Sequence, residues 1–326
     1  MAHHIHSFDN VLTVGERPWH GLGVNLATPP ASGLEALEMS GLNWEATLKP
    51  IFLEDGRQVI LNDDRALNKG AHHAVVRSDT GTILGVVGPK YVPYQNCQMA
   101  ALFDPLVQDG TITIETCGSL YNGRKVWMLG KLKGPDLAID SNDSVARYIS
   151  LAHGHDGGMA VRFGWTPIRI VCWNTLSASI TDERSRLVRA LHTKKLSSNL
   201  DTLRESMKHA DEVFEMTAEQ FRLLASRGIS RNDLREYARV IVDAPKQGSG
   251  KEPSQQQITK MGKIIAATIE GRGNSGRSWW HAYNGVTEYL TWEAGRNVDT
   301  RMNSLWFGEG AITSKEALDL ALEMSA

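Results

Sequence analysis

The chain of 326 residues has few cysteines and no long apolar run, and each absence excludes a class of protein. Its three cysteines, Cys97, Cys117 and Cys172, are widely spaced and odd in number, so they predict neither a disulfide framework nor a zinc site of closely spaced thiolates. No run of about 18 apolar residues is present, so no membrane-spanning helix is expected. The N-terminal segment lacks the basic and then apolar layout of a signal peptide. We therefore expect a cytoplasmic protein without membrane contact.

The motifs of common cofactor and metal enzymes are also missing. The sequence has no phosphate-binding loop, no glycine-rich dinucleotide fingerprint, no zinc constellation and no acidic cluster with nuclease-like spacing. The loop "PWHGLG", at 18–23, lacks the Lys-Ser/Thr ending of a phosphate cradle. We therefore predict no cofactor and no bound metal, and a binding protein is favoured over an enzyme.

Composition indicates an ordinary globular protein with a sizeable core. Hydrophobic residues make up 41% of the chain and charged residues 22%, with a formal net charge of −2. The charge is uneven, because residues 181–280 hold 18 basic and 13 acidic side chains. Such a segment permits phosphate binding, although a helical surface with internal salt bridges is the more ordinary interpretation.

Turn signals in the first half predict β-hairpins. They occur at Glu54–Gly56, Asp79–Gly81, Asn122–Gly123 and Gly154–Gly158, each between alternating apolar segments. Strands grouped in hairpins favour a curved antiparallel sheet. Residues 1–30 read as irregular, and two helices are expected, one after Ser32 as N-cap and one after the loop at 91–95.

Helical periodicity dominates after Thr175. It is present at 176–191, 197–227, 229–242, 258–271 and 278–295, and Thr313 is the expected N-cap of a last helix. The sequence thus predicts an α+β protein with a sheet domain at 1–176 and a helical region at 177–326. A polar stretch predicts an exposed linker near 243–257.

One stretch, "HDGGMAVRFGWTPIRIVCWNTL" at 155–176, combines several reactive side chains. His155 and Asp156 suggest a general base with an orienting carboxylate, but adjacent residues in an extended chain point to opposite sides, and a tight turn is the favoured interpretation. Cys172 falls on the strand face of Ile168 and Ile170, so we expect a small core residue rather than a nucleophile.

The other face of this strand is basic and aromatic. Arg169 and Trp173 alternate outward, and Arg162 and Trp165 are expected on the partner strand. Arg124 and Lys125 follow the Asn122–Gly123 turn nearby. Arginine beside an aromatic ring on a sheet can hold a phosphate and stack a base, which predicts a surface for single-stranded DNA. Helices of the C-terminal half covering this face would instead make Trp173 a core residue.

Three separated motifs resemble the phage/plasmid-like protein family, a domain of unknown function carried on phages, prophages and plasmids. They are "ERPWHGLG" at 16–23, "HDG" with "TPIRIVCWNTL" at 155–176, and "SWWHAYNGVTEYLTW" at 278–292. Gly158 stands where the family usually has a small hydroxyl residue, which weakens an enzymatic interpretation. The order of hairpins and then helices is also similar to that of ring-forming single-strand annealing proteins, at the level of the fold.

The favoured hypothesis is an accessory protein of a mobile element that binds single-stranded DNA in recombination or replication, as a homo-oligomer and without catalysis. Arg124, Lys125, Arg162 and Arg169 would contact phosphates, and Trp165 and Trp173 would stack bases. The alternatives are a protein-interaction factor acting on a host system through the Trp-rich helix, and an uncharacterised enzyme using His155 and Asp156.

Overall fold

The computed structural model describes residues 11–15, 23–60, 70–169, 174–175, 188–190, 210–245, 251–272, 274, 276–295 and 298–326. They form an α+β fold, with mostly antiparallel sheets first and helices after them, as the sequence predicts. Two compact units divide the described chain. The first contains residues 11–133, 148–164 and 188–190, and the second contains 134–147, 165–175 and 210–326. The predicted domain boundary at 176 stays a prediction.

Hairpins build the larger sheet. Its strands are β1 Val11–Val14, β2 Val24–Leu26, β6 Ile112–Leu120, β7 Lys125–Leu132, β8 Leu137–Asp140, β9 Asp143–Gly154, β10 Val161–Arg169, β11 Asn174–Thr175 and β12 Val188–Ala190. They follow the order β11-β10-β9-β7-β6-β1-β2, with β8 beside β9 and β12 beside β10.

The turns at Asn122–Gly123 and Gly154–Gly158 connect neighbouring strands as predicted. Strands β6 and β7 pair antiparallel from Leu120↔Lys125 to Ile112↔Leu132. Asn122 and Gly123 adopt the positive φ values, 59° and 98°, that make this dipeptide a hairpin signal. The segment 11–26, expected to be irregular, instead adds β1 and β2 to the sheet as a parallel pair.

A second, smaller sheet contains β3 Ala46–Pro50, β4 His73–Arg77 and β5 Ile83–Val87. The hairpin around Asp79–Gly81 is confirmed by the β4–β5 pairing. The hairpin around Glu54–Gly56 is confirmed but short: the amide of Leu53 donates to the carbonyl of Arg57 and that of Val59 to the carbonyl of Ile51, both at 2.8 Å, on either side of the Phe52–Gln58 bridge. Farther from the turn, strand β3 pairs with β4 over five consecutive residues.

Two helices belong to this first unit, and both agree with the sequence signals. They are α1 Gly33–Met39 and α2 Asn96–Gln108. Ser32 caps α1, because its hydroxyl accepts a hydrogen bond from the amide of Glu35. Gln95 and Gln98 form a reciprocal capping box at the start of α2.

Helices dominate the second unit around one aromatic core. Their bounds are α3 Ala210–Ser226, α4 Arg231–Ile241, α5 Gln255–Glu270, α6 Trp279–Glu288, a π-helix Tyr289–Glu293, α7 Val298–Phe307 and α8 Glu309–Met324. The side chains of Phe221, Trp280 and Tyr283 pack against one another with ring centroids 4.8–6.1 Å apart. The linker predicted near 243–257 falls between α4 and α5, and residues 246–250 lie outside the described part.

Two helical predictions need correction. Residues 188–190 form β12, because antiparallel pairing with β10 overrides the local periodicity. The last helix begins at Glu309, so Thr313 lies inside it rather than at its N-cap. The reason is tertiary: the Ser304 hydroxyl accepts a hydrogen bond from the Gly310 amide at 2.9 Å and takes over the capping.

Candidate functional site

Two turns of the first unit meet at one end of the larger sheet. The first follows β6 at Asn122–Gly123, and the second follows β9 at His155–Gly158. They are neighbours because β7 pairs with β9 in the register Lys125↔Gly154. One further hydrogen bond extends this ladder, from the amide of His155 to the carbonyl of Arg124 at 2.8 Å. Residues just after the first turn therefore lie beside residues of the second.

The His155–Gly158 segment is a tight turn in which the two side chains have separate partners. Asp156 Oδ1 accepts a hydrogen bond from the amide of Gly158 at 2.9 Å, and Gly157 adopts a positive φ of 78°. The His155 side chain is fully buried, with Nε2 3.1 Å from Asn96 Oδ1. The structure therefore orients His155 through Asn96 and not through Asp156.

Asn96 also determines the protonation of the His155 ring. The Nδ2 of Asn96 donates to the carbonyl of Leu42 at 2.8 Å, so its Oδ1 is the atom that points to His155. An amide oxygen only accepts, which requires Nε2 of His155 to carry the proton. In the neutral ring this leaves Nδ1 as the acceptor atom, and the whole side chain lies inside the core.

A buried cluster of rings surrounds His155. The ring of His153 lies 4.7 Å away edge-on, and that of Trp44 lies 5.1 Å away. Tyr94 in turn packs 5.1 Å from His153, and burial raises the pKa of its hydroxyl. All four side chains are at most 5% exposed. The cluster therefore acts as the hydrophobic support on which the two turns rest.

Arg77 connects the turn of the smaller sheet to the Asn122–Gly123 turn. Its Nη1 donates to the carbonyl and the Oδ1 of Asn122 at 3.1 and 3.2 Å. Its Nε and Nη2 donate to the two carboxylate oxygens of Asp79 at 3.0 and 2.7 Å. The guanidinium carbon also lies 4.5 Å from the ring centroid of Trp44. Arg77 therefore holds in place the turn from which Arg124 and Lys125 begin.

Three of the predicted cationic residues, Arg124, Lys125 and Arg162, follow the two turns at this end of the sheet, and Lys125 is electrostatically coupled to Arg162. Arg124 is exposed, whereas Lys125 and Arg162 are half-buried. Burial lowers the pKa of the Lys125 ammonium, Asp156 acts against this, and Arg162 lowers it further. The side chain of Lys125 is therefore close enough to Asp156 and Arg162 for their charges to change its pKa. We call Arg124, Lys125 and Arg162 the basic cluster.

The remaining predicted site residues are not part of the basic cluster. Trp165 and Arg169 lie on the same strand as Arg162, not on a partner strand, and belong to the stretch of β10 assigned to the second unit. The ring of Trp165 is 2% exposed and packs edge-on against Phe214 at 5.8 Å. A buried ring offers no face for a base, so Trp165 is a core residue here. Trp173 and the side chain of Arg169 lie outside the described residues.

The Trp-rich helix, suggested as an interaction surface, is also largely core. Trp279, Trp280 and Tyr283 on α6 are at most 4% exposed. The indole nitrogen of Trp280 donates to the carboxylate of Asp143 at 2.7 Å, which explains how a polar atom is accommodated there. Trp292 lies under the guanidinium of Arg272, whose carbon is 3.5 Å from its ring centroid.

Of the described cysteines, Cys97 is exposed and Cys117 is buried, and neither forms a disulfide. Cys117 is buried, and burial raises the pKa of its thiol to about 12, while Cys172 lies outside the described part. Among the described side chains, no group of three His, Cys, Asp or Glu is placed to hold a metal ion. No helix in the described ranges is long and apolar enough to cross a membrane.

Sequence reasoning missed Arg77, Trp44 and Asn96, which build the support of the site. Arg77 had a local signal, because an arginine two residues before an aspartate at a hairpin tip can fold back onto it. Trp44 and Asn96 had no local signal, since their contacts join residues more than 30 positions apart. Gly85 is a further case: a Cβ there would lie 2.6 Å from the Cα of Asp156, so only glycine allows the second turn to pack on β5.

The structure defines an α+β protein with basic residues at two hairpin turns. This combination does not identify a chemical reaction. A family model described as a domain of unknown function (DUF932) matches residues 83–306, so the chain belongs to this family. The matched span contains the motifs at 155–176 and 278–292 and excludes the one at 16–23. No curated protein and no solved structure showed significant similarity to the chain.

Proposed function

We propose that this protein binds single-stranded DNA without sequence preference, as an accessory factor of a phage or plasmid in recombination or replication. The observation that supports the proposal is the basic cluster, in which Lys125 and Arg162 from two hairpins are near enough to interact and Arg124 is exposed next to Lys125 in the chain. The mobile-element setting rests on the resemblance of the three motifs to the phage/plasmid-like family. We also propose a homo-oligomer, which light scattering after size exclusion would measure.

The basic cluster offers cations to a ligand of opposite charge. Burial makes ionisation of Lys125 less favourable, Asp156 favours it, and Arg162 opposes it by a smaller amount. Arg124 is exposed, and Lys125 and Arg162 are half-buried, so solvent reaches all three side chains. A phosphate chain supplies repeated negative charges that would pair with these cations. Base stacking would fall to Trp173, since Trp165 is core.

Salt dependence of binding is the direct test. Fluorescein-labelled oligonucleotides of mixed sequence would be titrated with the full chain at several salt concentrations, with anisotropy as the readout. If Arg162 contacts a phosphate, Arg162→Ala should weaken binding equally for every sequence and reduce the slope of log K against log salt by about 0.7. Arg124→Ala should behave in the same way.

Lys133→Ala is the matched control. Lys133 is exposed and follows the opposite end of β7, roughly 26 Å from Lys125 at about 3.3 Å per residue. Removing this charge should leave the salt slope unchanged. A wild-type protein without affinity for any oligonucleotide at about 50 mM salt would refute the proposal. So would equal effects of Lys133→Ala and Arg162→Ala, because the binding would then depend on overall charge alone.

A further inference from the structure

A groove runs between α4 and α5 in the second unit. It consists of two adjoining cavities of about 370 and 670 Å³, which share Arg235 and Ile265 in their walls. The smaller cavity lies at the start of α4, where Ile229 and Ser230 lead into the helix and Arg277 approaches from the segment before α6. We call this feature the α4–α5 groove.

Three arginines with no side-chain partner in the described part of the chain line this groove. Arg231, Arg235 and Arg277 are all exposed, and none donates a side-chain hydrogen bond or forms an ion pair within the described residues. Arg231 and Arg235 are four positions apart on α4 and therefore share one face. Arg277 is held beside them because the amide of Ile229 donates to its carbonyl at 3.1 Å.

The larger cavity also has two carboxylates in its wall, Glu236 and Glu252, beside the cations Arg239 and Lys251. The acidic residues of α4 already have partners. Asp233 accepts the hydroxyl of Ser230 at 2.5 Å, as part of the helix cap. Glu236 binds the guanidinium of Arg239 through both oxygens, each at 2.8 Å. The positive charge of Arg231, Arg235 and Arg277 is therefore not neutralised by these carboxylates of the helix that carries two of them.

The floor of the groove is apolar. Leu234, Ile265 and Ile269 line the smaller cavity, and Ile258 and Met261 line the larger one. Ile269 and Ile258 remain 41% and 49% exposed, which is unusual for isoleucines that line a concave surface. A ligand that covers these side chains would gain the free energy of their burial.

We propose that the α4–α5 groove docks an acidic peptide segment that carries an apolar anchor residue. The charge is complementary, because glutamates or aspartates would pair with the three arginines. The apolar floor requires a hydrophobic side chain on the ligand, which a nucleic-acid backbone does not supply. The two connected cavities fit an extended peptide better than a compact anion. The site is separate from the basic cluster and does not depend on DNA binding.

Fluorescence anisotropy with a synthetic peptide tests the proposal. The probe is a fluorescein-labelled peptide with a run of glutamates followed by leucines, added to the full chain. Arg235 lies in both cavities, so Arg235→Glu should weaken binding by about tenfold or more, the effect of losing one charge-assisted contact and adding repulsion. Ile269→Ser should weaken it by a smaller factor, because its methyl groups form the floor.

Lys260→Glu is the matched control, since Lys260 is an exposed cation of α5 that lines a different cavity. It changes the net charge as Arg235→Glu does and should leave peptide affinity unchanged. A peptide with serines in place of the leucines, and one with lysines in place of the glutamates, should both fail to bind. Circular dichroism of each variant establishes that it is folded.

Three results would overturn the proposal. The first is no binding of the acidic peptide by the wild-type protein. The second is an equal loss for Lys260→Glu and Arg235→Glu, which would indicate an effect of overall charge. The third is displacement of the peptide by an oligonucleotide whose own affinity falls with Arg235→Glu, because the groove would then be a nucleic-acid surface. Oligonucleotide binding that depends on Arg162 and not on Arg235 leaves the two sites distinct.

Discussion

Replacing Arg77 by methionine should destabilise the first unit far more than the same change at Arg57. Each arginine pairs with an aspartate two positions away, through Nε and Nη2 at 2.6–3.0 Å. Their surroundings differ: the Arg77 side chain is 5% exposed, and that of Arg57 is 76% exposed. The two variants therefore compare an arginine–aspartate pair of the same two donor atoms at two degrees of burial.

The magnitude follows from what Arg77 contacts. Methionine keeps much of the side-chain volume but removes both hydrogen bonds to Asn122, the stacking on Trp44 and the pair with Asp79. The largest contribution is the loss of the charged donor at the buried turn, and the Trp44 ring and the partly exposed Asp79 carboxylate contribute less. Together they predict a decrease of about 3–5 kcal/mol in the free energy of unfolding. Arg57→Met should produce no measurable change, because an exposed pair is screened by water.

Urea unfolding followed by circular dichroism measures both variants against the wild type. Acid adds an independent check. Arg77 lowers the pKa of Asp79 below its ordinary value of 3.8, so the pair stabilises the folded state above that pH and the stabilisation is lost as the pH falls through the lowered pKa. The difference between wild type and Arg77→Met should therefore shrink below about pH 3.8. Equal stability of the two arginine variants at neutral pH would refute the reasoning.

Three further results are expected. Gly123→Ala should destabilise the protein more than Gly56→Ala. Both glycines have a positive φ, but a Cβ at Gly123 would lie 2.7 Å from an indole carbon of Trp44, whereas nothing lies within 4 Å of a Cβ at Gly56. Equal midpoints of urea unfolding for the two variants would argue against this packing. Trp280→Phe should cost about 2–3 kcal/mol in urea unfolding, because it leaves the buried carboxylate of Asp143 without its 2.7 Å donor. Cys117 should resist iodoacetamide in the folded protein at mildly alkaline pH and react in urea, as peptide mass mapping would detect, since burial raises its pKa to about 12; rapid labelling of the native state would contradict its burial.

Local signals predicted those parts of the fold that depend on neighbouring residues. The hairpin at Asn122–Gly123 was predictable because those two residues favour the positive φ that the turn requires. Ser32 was a reliable N-cap because its partner is three residues away. The hairpin at Glu54–Gly56 was predictable next to its turn, but its length was not, because β3 takes the distant β4 as its partner.

The candidate site was predicted in part. Arg124 and Lys125 were placed by the hairpin, and Arg162 by the strand after the His155–Gly158 turn. Trp165 was assigned to a binding face by alternation alone, and packing against Phe214 makes it core. Alternation separates the two sides of a strand, but the sequence does not say which side another element will cover.

The sequence by itself therefore determined the hairpins, most of the helices and the presence of cations beside two turns, because turn geometry, capping and periodicity act within a few residues. Only the tertiary structure decided that His155 is hydrogen-bonded to Asn96 and that Arg77 donates hydrogen bonds to Asn122 in the hairpin turn. It also left Arg231, Arg235 and Arg277 around an apolar groove. These arrangements depend on contacts between residues distant in the chain, which no local pattern records because they form only when separate elements pack together.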